Sequence, residues 1–276
     1  MDTQDTLIRS SRTQNNFDKP DRALWVQVGV PHEHGGWSLT LEPVVLGLLI
    51  VWSWPGFALG AVATLAFITR TPLKIVLVDM WRKRWLERTT FALVLVAVEV
   101  AVMCALFIVV MKTAQSTLFV VPLLIAVPLV MMELYFDMRS KSRRLVPELA
   151  GTLGISSVAA AIVVAGGGAL SLGIGLWIIL SARAAAAISY VRVQMFRTRN
   201  KEYVHWHSDL AQALAVAAVL IAWRLGLASL LAVSAIATIA IFNVVAIRGP
   251  LVKMKNVGVQ QMLFGLAVII STAISM

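Results

Sequence analysis

From about residue 37 onward, apolar positions come in long runs, and acids and bases are crowded into short interludes between them. Crossing about 30 Å of hydrocarbon at 1.5 Å per residue takes roughly 20 residues of helix. Runs near that length fall at 37–54, 56–78, 90–111, 117–136, 147–164, 170–191, 209–223, 226–247 and 257–274. The pattern predicts an all-α, polytopic transmembrane helical bundle of about nine spans. The breaks at Trp54-Pro55-Gly56 and Arg224-Leu225-Gly226 are tight, as helical hairpins need. The seventh run is the shortest, but fusing it with the eighth would give a helix far too long without a turn. Residues 1–30 are polar and are expected to form a mostly disordered cytoplasmic tail, with 31–276 as the bundle. The tail lacks the charged, apolar, then small-residue order of a cleavable signal peptide.

Composition sharpens this picture. Of 276 residues, 59% are apolar and 14% charged, against roughly 45–50% and about 25% in soluble domains. A water-soluble single domain is excluded. The net charge of +10 is unevenly placed: 21 of the 24 bases lie in the tail or around the loops after spans two, four, six and eight. Lys112 and Arg224 fall on the other side, and Arg183 falls inside a span. By the positive-inside rule the N-terminus and those loops are cytoplasmic and the C-terminus is outside. No basic segment is interleaved with aromatics for base stacking, so the charge implies no nucleic-acid partner. Cys104, the single cysteine, excludes an intrachain disulfide and a cysteine metal cluster.

Charged residues inside the spans are the first candidates for chemistry, because hydrocarbon rarely retains charge without a partner or a polar cavity. Arg183 precedes Arg192 by nine residues, which places it about 13 Å deep if Arg192 is near the surface. Glu99 is similarly deep, and Glu42 is shallower. These positions suit either an ion pair of Arg183 with Glu99 or Glu42, or a ligand site. Nearer the cytoplasm, Arg70 and Lys74 stand at i, i+4 on one face of span two, with Pro72 between them. Glu133 and Asp137 repeat that spacing with carboxylates at the end of span four. The segment Pro31-His32-Glu33-His34-Gly35-Gly36-Trp37 puts titratable groups at the mouth of span one, where Glu33 and His34 could handle a proton. All four histidines fall in two His-x-His pairs, His32/His34 and His205/His207, which lack the i, i+4 spacing that aims two rings at one metal. No metal ligands and no cofactor are assigned.

The segment Pro31, Glu33-His34-Gly35 and Trp37 resembles the signature of the YwiC-like family of bacterial membrane proteins. Asp137 through Arg144-Leu145 to Glu148-Leu149-Ala150-Gly151 is similar to that family's pattern, as is Ser181-Ala182-Arg183 to Tyr190-Val191-Arg192. The resemblance implies a multi-pass protein of the bacterial cytoplasmic, or inner, membrane and names no reaction. More distantly, span number and orientation resemble the UbiA-type prenyltransferases, nine-helix bundles whose aspartate-rich motifs hold magnesium and a prenyl diphosphate. Those motifs are absent here: the corresponding regions offer Arg70, Lys74 and Asp79, and Arg197, Glu202 and Asp209. A diphosphate would have to be held directly by arginine and lysine.

Three functions fit these residues. The first is a transferase acting on an isoprenoid or other membrane lipid. In it, a cytoplasm-facing polar pocket of Arg70, Lys74, Glu133, Asp137, Arg183 and Arg192 binds an anionic head, with Glu33 and His34 catalytic. The second is a transporter of an anion or small molecule, although the chain shows neither an internal repeat nor paired broken helices. The third is a non-catalytic assembly partner. The orientation is checked by reporter fusions: green fluorescent protein joined after Arg144 is expected to fluoresce, and alkaline phosphatase at the C-terminus to be active. The reverse pattern contradicts the charge reading.

Overall fold

The computed structural model describes residues 28–29, 34–139 and 144–276. Apart from residues 28 and 29, the tail lies outside the described residues. Among them there are helices and no strands. Nine α-helices match the nine apolar runs in order: α1 (His34–Ile50), α2 (Trp54–Trp81), α3 (Glu87–Thr113), α4 (Val120–Met138), α5 (Leu145–Ala165), α6 (Leu170–Thr198), α7 (Trp206–Arg224), α8 (Leu230–Ala246) and α9 (Met254–Ser275). A 3-10 turn, Thr117–Phe119, leads into α4. Seven are long and apolar enough to cross a membrane. The shortest are α1 and α8, with 17 residues each, rather than the seventh run, where α7 reaches 19 residues by extending three residues upstream of the predicted start. At 1.5 Å per residue, α1 and α8 are about 25 Å long.

The boundaries follow from local chemistry. Ser53 caps α2 by accepting the Gly56 amide at 3.1 Å, and Pro55 fits the first turn, where its missing N–H costs nothing. Ser229 caps α8 in the same way, accepting from Ala232 at 3.1 Å. The α7–α8 hairpin turns at Gly226, whose φ of +72° a side chain would resist.

Helix α5 forms the middle of the bundle and packs on α1, α2, α4 and α6. Its run Val158–Ala165 is buried along its whole length, because small residues let neighbours approach on every side. Where α1 crosses it, a Cβ on Gly47 would stand 3.0 Å from Ile162; where α6 crosses it, one on Gly173 would stand 3.1 Å from Ala160. This close backbone approach is how helices associate in an apolar medium, where dispersion replaces the hydrophobic force. Helix α9 packs on α1, α6 and α8, tying the end of the chain to the first helix. By contrast α3 rests chiefly on α2 and leaves Val94, Val98, Val102, Ile108 and Val109 exposed, as a lipid-facing helix should.

Gly175 marks the tightest approach, since a Cβ there would overlap the backbone carbonyl of Leu227 in the α7–α8 turn. Gly175→Ala is expected to lower the melting temperature in detergent, at a cost of about 1–3 kcal/mol. Gly258→Ala, with open space around it, is expected to melt like wild type. Equal melting of all three proteins would contradict the packing.

Candidate functional site

The described polar side chains collect in a few groups, each built between helices. In the deepest, Arg183 of α6 pairs with Glu42 of α1 at 3.2 Å, their side chains only 4% and 7% exposed. Glu42 also accepts from Ser38, one turn earlier, at 2.8 Å. A second Arg183 N–H, from Nη2, is donated to the Gln261 carbonyl of α9. Gly265 lies against both charged groups, and a Cβ there would collide with the Glu42 carboxylate. Of the two partners the sequence allows for Arg183, the structure therefore selects Glu42.

A chain of amides continues from this pair. Gln261 Nε2 donates to Asn243 Oδ1 of α8 at 3.2 Å, Asn243 Nδ2 donates to Gln212 Oε1 of α7 at 3.3 Å, and Gln212 Nε2 donates to the Ala186 carbonyl of α6 at 2.9 Å. Arg183 and Ala186 are one turn apart, so the circuit leaves α6, visits α9, α8 and α7, and returns to α6. All five side chains are buried. Sequence reasoning directed at charge passes over Gln212, Asn243 and Gln261; their signal is an amide within an apolar run.

The second group joins the i, i+4 pair of α2 to that of α4. Arg70 Nη1 meets Glu133 at 2.8 Å, Arg70 Nε donates to Asp137 Oδ2 at 2.9 Å, and Lys74 Nζ lies 3.4 Å from Asp137 Oδ1. Asp137 is fully buried, while Arg70 and Lys74 keep 28% and 35% of their side chains exposed. The Glu133 carboxylate is seated on Gly151 of α5, where a Cβ would overlap it. One turn earlier on α5, Glu148 accepts from Arg192 of α6 at 2.9 Å.

Other groups stand at helix ends. Asp79 is fully buried and binds Arg84 at 2.6 Å and Thr89 at 2.7 Å, closing the α2–α3 turn. Arg197 bridges Gln194 at 3.0 Å and the Gly249 carbonyl at 2.7 Å, joining α6 to the α8–α9 loop. Asp209 binds Arg248 at 2.6 Å and, chiefly through these hydrogen bonds, holds that exposed guanidinium above the usual arginine range.

The structure thus joins Arg70, Lys74, Glu133 and Asp137 directly, places Arg192 with Glu148, and ties Arg183 to α1 and α9. Glu33, His32 and the side chain of His34 lie outside the described residues. An open recess on α9, lined by Asn256, Val259, Gln260, Leu263 and Phe264, contains none of the expected pocket residues. Among the described residues, no group of three or more His, Cys, Asp or Glu side chains is arranged to hold a metal.

Residues 30–163 match the family model described as YwiC-like protein. The matched region runs from before α1 nearly to the end of α5, and so contains Glu42, Arg70, Lys74, Glu133, Asp137 and Glu148; Arg183 and Arg192 lie beyond it. No curated protein and no solved structure matches the chain.

Proposed function

We propose, from the match of residues 30–163 to the YwiC-like family model, that the chain is a nine-span protein of the bacterial cytoplasmic membrane, its N-terminus cytoplasmic and its C-terminus outside. It binds the anionic head of an isoprenoid or another lipid between α2, α4 and α5 and acts on it as an intramembrane transferase. One observation carries this reading: Arg70 and Lys74 lie side by side on a helix long and apolar enough to cross a membrane, with roughly a third of each side chain still exposed. Cations there attract phosphate, and a guanidinium fork matches two phosphate oxygens at once.

The cluster is internally neutral, and that dictates how an anion enters. Asp137, buried beneath both cations, holds them in place. Glu133 occupies Arg70 Nη1, so an incoming phosphate must compete with the Glu133 carboxylate for that donor. Arg192 and Glu148, one turn along α5 from Gly151, extend the charged rim. Arg183, committed to Glu42 and the Gln261 carbonyl, serves helix packing. Glu33 and His34, at the mouth of α1, are assigned the proton transfer that a leaving or attacking oxygen needs.

The test uses full-length protein purified in mild detergent, with inorganic pyrophosphate binding followed by calorimetry and co-purified lipids by mass spectrometry. Arg70→Lys keeps the charge over buried Asp137 but loses the fork, and is expected to weaken pyrophosphate binding about tenfold, the equivalent of 1.4 kcal/mol. Glu133→Gln removes the competitor and is expected to strengthen binding. Unchanged binding in both variants contradicts the reading, and Arg70-dependent anion uptake into liposomes without lipid turnover replaces the transferase with a transporter.

A further inference from the structure

Glu99 lies near the middle of α3, apart from every ion pair described above. It is 9% exposed, and no hydrogen bond reaches its buried Oε2 among the described residues. Across the α2–α3 interface the hydroxyl of Thr69, itself buried, stands beside it. The two helices run antiparallel, with Asp79 facing Thr89 at one end and Thr69 facing Glu99 ten residues along each.

The hydroxyl's single hydrogen decides the chemistry. Thr69 Oγ1 donates to the Leu65 carbonyl at 2.8 Å. A threonine hydroxyl has one hydrogen to give, so in this arrangement it can only accept, which suits a protonated Glu99 carboxyl beside it. If Glu99 is ionised, the hydroxyl turns and donates to the carboxylate instead. Thr69 therefore has an arrangement for each protonation state.

Among the described residues, no cation is positioned to hold Glu99 permanently charged. On α2, Arg70 and Lys74 are bound to Glu133 and Asp137 of α4. Arg84 and Arg88 gather on Asp79. On α3 itself, Arg88 and Lys112 are about 16 and 20 Å away along the helix, with Glu87 beyond Arg88. Residues 28 and 29, which pack near Ala92 and Leu95, contribute only valine and glycine, and the 3-10 turn meets α3 through Phe119 and Phe107. An unpaired carboxylate in hydrocarbon is expensive, and carboxyls kept at such depth commonly mark proton routes.

We propose that Glu99 is a proton-binding site in the α2–α3 interface, taking up and returning one proton at its carboxyl with the Thr69 hydroxyl as its turning partner. The step is a protonation alone: an O–H bond forms or breaks, and nothing is oxidised or reduced. The site shares no side chain with the Arg70 cluster and stands independently of the lipid-head reading.

Full-length protein in native membranes, treated with dicyclohexylcarbodiimide, tests this. The protonated carboxyl adds across a C=N bond of the reagent, and the adduct rearranges to a stable N-acylurea that peptide mass spectrometry locates. Glu99 is expected to carry the adduct, with labelling that falls as pH rises. The peptide is expected to be unlabelled in Glu99→Gln, and Thr69→Val is expected to shift the pH midpoint of labelling. Wild-type protein with no adduct at Glu99, labelling that is flat with pH, or a midpoint unmoved by Thr69→Val overturns the assignment.

Discussion

The contact between Arg183 and Glu42 is the constraint on which the rest of the bundle depends. It lies where the first helix, a middle helix and the last helix meet, and it is buried on all sides. Lipid tails are as apolar as leucine, so burying leucine between helices gives little specificity in a membrane; polar contacts and close packing must provide it. A guanidinium at this depth is tolerable only if its donors are met, and Glu42 together with the Gln261 carbonyl meets those of Nη2. Gly265 is the steric condition for that meeting. The amide circuit through Asn243 and Gln212 then fixes α8 and α7 against the same helix, α6, from which Arg183 projects.

Around this hub the remaining charges are used in two different ways. Asp79, Arg197 and Arg248 stitch turns and helix ends, and of their bonds the exposed Arg248–Asp209 pair is worth little on its own. The Arg70, Lys74, Glu133 and Asp137 cluster is different in kind. It joins α2 to α4 within the bundle, but its cations are not fully enclosed, and one of its carboxylates rests on a glycine of a third helix. In the proposed reading, such a cluster holds its geometry and exchanges a carboxylate for another anion. The contrast between enclosed Arg183 and partly open Arg70 fits a packing role for the one and the proposed binding role for the other, although the two look alike as sequence.

Much of this was legible in the sequence. Nine apolar runs became nine helices, because runs of that length with so little charge have little alternative in hydrocarbon. The i, i+4 spacing of Arg70 with Lys74 and of Glu133 with Asp137 put matching faces on two helices, and those faces meet. What pattern could not settle was the choice between Glu42 and Glu99 for Arg183, since both lie at plausible depths. Helix neighbours decided it: α9 and Gly265 bring α1 to α6, while α3 stays outside against α2. Gln212, Asn243 and Gln261 escaped notice for another reason. A single amide barely alters the hydropathy of its run, and its importance appears only when three helices align their amides into a chain. Likewise the seventh run looked short because Trp206, His207 and Ser208 read as loop, although they form the first turn of α7.

A double-mutant cycle on Glu42→Ala and Arg183→Ala tests the central claim most directly, with unfolding free energy measured in mixed micelles. Removing one partner strands the other as an unpaired buried charge, which typically costs about 3–5 kcal/mol. Each single variant is therefore predicted to be strongly destabilised, and the double variant to lose clearly less than the sum of the two. Strictly additive losses, or single variants as stable as wild type, would contradict the account.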